Sequence, residues 1–228
     1  MKSKNVQSLF RLSFALVAVC GLWLAAPATA QSLPDVVTVG TVAAAGPVVV
    51  VPVYVRDLSG TPLGIDQPFG SRIQSFSIKV DYTPSAFLQS VTFTRAGITA
   101  PLTPTFETSP AVAGSISLLM SFDETTNLVP FVSNAAAPGN QVGQLTFTFA
   151  ANTPPGTSIP LTLDATLTQL SNEGGTTTES LANSTLALVP GSVTMLAIPL
   201  IPTAPTLGTW GLIALAAALS FIAVRSRM

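Results

Sequence analysis

The 228-residue chain has no histidine, one cysteine and two tryptophans, and only 8% of its residues are charged. Without histidine there is no Ser-His-Asp or Cys-His relay and no imidazole ligand for a metal. The cysteine, Cys20, follows Val19, where a lipoprotein signal would require a small residue, and it lies in a segment that reads as removable. With that segment gone, no thiol remains for disulfides, thiolate catalysis or thiolate-bound metal. Trp23 and Trp210 both fall outside the middle of the chain, so that region lacks the ring best suited to stack on sugars. Its two tyrosines, Tyr54 and Tyr82, sit in apolar strand registers and read as core. Among the phenylalanines, Phe69, Phe106 and Phe131 fall in loops. Asp123-Glu124 is the only adjacent acidic pair, and at a strand end the two side chains point to opposite faces. A glycosidase needs its two carboxylates to face one substrate. These absences point away from an enzyme.

What the chain does have at each end is a long apolar run. Lys2, Lys4 and Arg11 precede an apolar stretch from Leu12 to Ala26, and Ala28-Thr29-Ala30 supplies small residues at the spacing signal peptidase accepts. Residues 1–30 therefore read as a secretory signal peptide, cut between Ala30 and Gln31. At the other end Leu207 to Val224 carries no charge, and as a helix it would be roughly 27 Å long, close to the hydrocarbon thickness of a bilayer. Arg225 and Arg227 then act as a stop on the cytoplasmic side. The expected product is exported and held at the membrane through residues 207–228. Its folded part lies outside, raised on a proline-rich linker over residues 197–206.

Between the ends lie all ten acids and only Arg56, Arg72, Lys79 and Arg95, a net charge of −6. Such a region has no electrostatic footprint for nucleic acid. Its pattern is β throughout. Phe76, Ile78, Val80 and Tyr82 alternate with Ser75, Ser77, Lys79 and Asp81. The same period of two recurs at Ile116, Leu118, Met120 and Phe122, at Leu145, Phe147 and Phe149, and at Ile159, Leu161, Leu163, Ala165 and Leu167. About nine strands separated by Gly, Pro, Asn and Ser turns are expected. Each buries one face, so the strands must form an antiparallel β-sandwich. Phe76, Ile78, Val80, Leu118, Met120, Leu145, Phe147, Leu161 and Leu163 should share its core. Pro52, which cannot donate to a ladder, predicts an edge position or a bulge. The loops hold Asp57, Asp66, Asp123, Glu124 and Asn127, hard oxygen donors of the kind calcium takes, though in no ligand-spaced motif. No other cofactor is expected.

Two resemblances add to this reading. Pro205, Thr206, Leu207, Trp210 and Gly211, set directly before an apolar helix and a basic end, resemble the C-terminal sorting signals that begin Ile-Pro-Thr-Leu, with Ala204 in place of the isoleucine. These are relatives of the signals processed by exosortase-type membrane peptidases, and the resemblance implies transfer to the cell surface or an extracellular matrix. The middle of the chain, residues 31–196, resembles cohesin domains. The matching marks are Val51-Pro52-Val53, Phe76 to Pro84 followed by Leu88 and Val91, Gly143 to Phe149, Gly156 with Ile159 and Leu161, and Gly191-Ser192-Val193. That resemblance implies a jelly-roll sandwich and a non-catalytic adhesion or scaffolding module with a dockerin-like protein partner. The alternative left open by the residues is a module that holds extracellular polysaccharide through polar loops.

Overall fold

A computed structural model describes residues 33–197, together with the isolated Ile213. Ala28, Ala30 and Gln31 at the expected leader junction, and Pro205, Thr206, Leu207, Trp210, Gly211, Arg225 and Arg227 in the tail, lie outside the described residues. The strands are β1 (Asp35–Val39), β2 (Thr41–Ala45), β3 (Val48–Arg56), β4 (Ser75–Tyr82), β5 (Leu88–Arg95), β6 (Phe106–Thr108), β7 (Ala111–Val112), β8 (Ser115–Ser121), β9 (Asn140–Phe149), β10 (Ser158–Leu163), β11 (Gln169–Ser171), β12 (Thr178–Ser180), β13 (Leu186–Val189) and β14 (Gly191–Leu196). They form two sheets, as the all-β jelly-roll expectation requires. One runs β13-β1-β3-β9-β5; the other runs β12-β11-β4-β10-β14-β2, with β8 on the free edge of β4 and β6 and β7 on β8. Among the described residues no helix is long and apolar enough to cross a membrane.

The inward faces follow the period of two. Val49, Val51, Val53 and Val55 on β3 alternate with the more exposed Val48, Val50, Pro52, Tyr54 and Arg56. From the other sheet Phe76, Ile78, Val80, Ile116, Leu118 and Met120 meet them in a single core. Edge-on aromatic contacts knit it together: Tyr82 to Phe147 at 5.9 Å and Phe76 to Phe122 at 6.3 Å. Of the nine expected core residues, all but Leu163 are buried, and Leu163 packs partly buried against them.

Several details depart from the expectations. Fourteen strand segments stand where about nine runs were read, in part because two apolar runs are each shared between the two sheets and in part because short strands such as β6, β7 and β12 are added. Val36 to Val42 breaks at Gly40, sending β1 to one sheet and β2 to the other; Leu186 to Leu196 breaks at Pro190-Gly191 in the same way. The two crossings touch, since a Cβ on Gly191 would lie 2.1 Å from the Gly40 carbonyl oxygen. β1 pairs in parallel with β13 before the crossing, and β2 with β14 after it.

Pro52 sits on neither an edge strand nor a bulge of its own. β3 is central, and the Pro52 carbonyl accepts from the Gly40 amide (2.8 Å) at the level where β1 departs. Because a residue's N–H and C=O leave a strand on the same side, the donor that proline lacks would have pointed at this vacated stretch. The nearby bulge belongs to β9, where Val142 is the extra residue between the Val53–Gly143 and Tyr54–Gln141 pairs. Tyr54 is half-buried on the outer face rather than in the core. Phe131, read as a loop residue, is buried 6.2 Å from the Phe76 ring.

The alternation of β10 does not continue to Leu167. Asp164 Oδ1 accepts from the Thr166 and Leu167 amides (both 2.9 Å), folding a turn that inserts residues into the strand. Thr168 is thereby buried, its hydroxyl standing against the Lys79 backbone, while Leu167 is turned outward.

Candidate functional site

The outer face of the larger sheet is built from the polar half of the strand alternation. Ser75, Ser77, Lys79 and Asp81 of β4 lie opposite Ser121, Leu119, Ser117 and Ser115 of β8. On the other side Gln169 and Ser171 of β11 pair with Ser77 and Ser75. β6 and β12 rise at the flanks, leaving a shallow groove of about 360 Å³ lined by Ser75, Ser77, Phe106, Leu119, Ser121, Gln169, Ser171, Gly175 and Thr178. The floor is preorganised: the Ser75 and Ser121 hydroxyls hydrogen-bond at 2.7 Å, and Ser77 donates to the Leu167 carbonyl at 2.6 Å.

Apolar side chains stand among these hydroxyls. Phe106 is 56% exposed on one flank and Leu167 is 50% exposed beside Ser77. Charge is confined to one cluster, in which Lys79 Nζ meets Asp164 at 2.9 Å and Asp81 at 3.6 Å. The Asp164 hydrogen bond is the main cause of the raised Lys79 pKa, and the same bond heads the causes that lower Asp164. The face thus offers exposed apolar anchors, short hydroxyls with little rotamer entropy to lose, and one fixed charge cluster. The smaller sheet presents a different outer face, with Val48 and Val50 exposed next to Thr148 and Thr146, and Val189 exposed at the far edge beside Thr38.

The loop residues read as possible ion ligands separate into two groups. Asp123 folds its own turn, accepting from the Thr125 hydroxyl and from the Thr125 and Thr126 amides (2.8 and 2.9 Å), and these bonds, the hydroxyl's first, hold its pKa down. Glu124 is buried, accepts from the Gly70 amide through both oxygens and stands 3.7 Å from Arg72. Asn127 accepts from the Thr103 amide (2.9 Å). The Asp123 and Glu124 carboxylates therefore serve different partners. Asp57 and Asp66 belong to another cluster, with Asp35 and Glu179; the sequence reading did not single out either of those two.

Residues 205–228 match the family model of the IPTL-CTERM motif. No curated protein matches the chain. Solved structures similar to it include cohesin modules. The sixth cohesin of scaffoldin B from Acetivibrio cellulolyticus, solved with a mutant Cel5 dockerin, is 14% identical, and the match covers 71% of this chain and 99% of that one at a TM-score of 0.48. The Coh-OlpA-Doc918 complex from Clostridium thermocellum is 13% identical, covering 72% and 99% at 0.49. The solution structure of CaCohA2 from Clostridium acetobutylicum is 14% identical, covering 77% and 96% at 0.46.

Proposed function

We propose that this chain is an exported, surface-displayed, non-catalytic adhesion or scaffolding module that docks a protein partner on the outer face of its larger sheet. The observation that carries the reading is the groove between β6 and β12, where Phe106 and Leu119 interrupt a floor of hydrogen-bonded serines and Leu167 stands exposed outside it, its carbonyl held by Ser77. Exposed apolar side chains around a rigid, weakly charged surface suit docking of a folded partner, because burying them gains free energy while the serines lose little entropy. A saccharide would sooner use an aromatic platform. The leader and tail supply the address. Signal peptidase cuts between Ala30 and Gln31, residues 207–228 hold the domain at the membrane, and an exosortase-type peptidase acts near Pro205 to Gly211.

The test is binding by the full chain in detergent, set against the exported proteins of the source cell and against a glycan array. A recovered protein partner should bind again as a purified component, and Phe106→Ala or Leu119→Arg should weaken that binding at least tenfold. Asp66→Ala and Asp123→Ala should leave it unchanged. Saturable glycan binding that these loop substitutions abolish, with no protein recovered, would establish the polysaccharide alternative.

A further inference from the structure

Four carboxyl groups surround the loop that follows β3. Asp35 on β1, Glu179 on β12 and Asp57 at the start of the loop are each 0% exposed, whereas Asp66 is exposed at the rim. With one oxygen each buried group holds a backbone amide of the loop: Leu58 donates to Asp35 Oδ1 (2.7 Å), Ile65 to Asp57 Oδ2 (2.8 Å) and Leu63 to Glu179 Oε1 (2.9 Å). The other oxygens, Asp35 Oδ2, Asp57 Oδ1 and Glu179 Oε2, have no donor among the described residues. The Asp35 and Glu179 side chains nevertheless stand within hydrogen-bonding reach of each other. Two carboxyl groups can bond in this way only if one of them keeps its hydrogen.

No positive side chain answers the cluster. Among the described residues Arg56, next in the chain to Asp57, donates to the Ala135 carbonyl, while Arg72 faces Glu124, Lys79 faces Asp164 and Arg95 faces Glu107. Nor, among those residues, is any group of three acids placed to hold a metal ion. The charged groups that face the pair are acids: Asp57 acts on both members, and Asp66 acts on Asp57. A second buried anion beside Glu179 would be left without compensation, at a cost that a single proton removes.

We propose that Asp35 and Glu179 share one proton, which pins β1 of the smaller sheet to β12 of the larger and closes the loop 57–66 over the junction, forming a latch that alkali loosens. The proton resides on Asp35 Oδ2 and is donated to Glu179 Oε2, so one bond satisfies both unpartnered oxygens. Burial first, and then the Glu179 charge, push Asp35 up to about 9, whereas the bond from Asp35 works against the rise that burial imposes on Glu179. The folded chain thus keeps a proton that the unfolded chain releases in the ordinary carboxylate range. Stability is greatest at the acid end of that window and is lost as pH rises toward about 9.

The experiment is urea unfolding of the full chain in detergent from pH 5 to pH 8. One proton released on unfolding makes the unfolding equilibrium constant rise about tenfold per pH unit in the wild type. Asp35→Asn supplies a fixed N–H donor to Glu179 and should flatten this dependence; Glu179→Gln, donating the other way, should do the same. Asp164→Asn, in a separate ion pair, should keep the wild-type slope. A readout independent of any variant is the infrared spectrum of the folded wild type in heavy water at neutral pD, which should contain the carbonyl stretch of a protonated carboxylic acid. A flat wild-type profile, a slope that survives in Asp35→Asn, or the absence of that band overturns the proposal.

Discussion

Phe147 and Thr148 are neighbours on β9 with opposite surroundings, the first fully buried against Tyr82 and the second half-exposed on the outer face. Phe147→Ala should therefore cost about 3–5 kcal/mol in urea unfolding, and Thr148→Ala no more than about 0.5 kcal/mol. Equal costs would mean that the register is wrong. Asp164 gives a second contrast, because its carboxylate both accepts from Lys79 and caps the turn at Thr166 and Leu167. Its pKa is lowered in the folded state, so its contribution is present above the ordinary carboxylate pKa and is lost as pH falls through the depressed one. The stability gap between the wild type and Asp164→Asn should thus narrow in acid below about pH 4, and unfolding followed from pH 7 to pH 2 checks it. The carboxylates Asp35 and Glu179 escaped the sequence reading for a plain reason. Each stands alone in its own strand, and only the pairing of β1 with β3 and of β12 with β11 carries them to the loop of Asp57.

At the scale of elements, strand existence and facing were legible wherever one face is buried along a whole strand, as in β4, β8 and β9, since there the period of two is the burial pattern itself. The failures came where the chain changes sheet or register. Gly40 and Gly191 look like ordinary turn punctuation in sequence, and nothing local says that they cross side by side. The Asp164 turn likewise exchanges Leu167 for Thr168, because a side-chain cap and a backbone bridge to Lys79 outweigh the burial of one leucine. Gly191→Ala places a methyl group against backbone at 2.1 and 2.5 Å, which cannot move aside like a flexible side chain. Its midpoint in urea should fall far more than that of Gly174→Ala, whose nearest neighbour would be 3.8 Å away. Similar midpoints would show that the crossing relaxes freely.

At the scale of the molecule, the reading of a β-sandwich between two apolar ends came from composition and patterning, whereas the docking face needed the fold. Serines 75, 77 and 121 are unremarkable until β4, β8 and β11 align them beside Phe106 and Leu119. The export reading makes its own prediction: mature surface protein should begin at Gln31 and lack Arg225 to Met228 by intact mass. A mass that includes those arginines in every molecule would leave a plain anchor and no processing.

β14 lies between β10, which it meets antiparallel from Ser158 to Leu161, and β2, which it meets in parallel along Thr41 to Ala45. If the module is tethered through its tail and gripped by a partner as proposed, it carries tension, and that tension enters along β14. Hydrogen bonds flank the strand on both sides and lie across the direction of pull, so they share the load in shear instead of parting one after another like a zipper. The parallel strand β2 also ties the loaded segment to the opposite end of the domain's chain. Flow at a cell surface would meet a fastening that resists sudden pulls, with rupture governed by the rate at which the whole strand slides out.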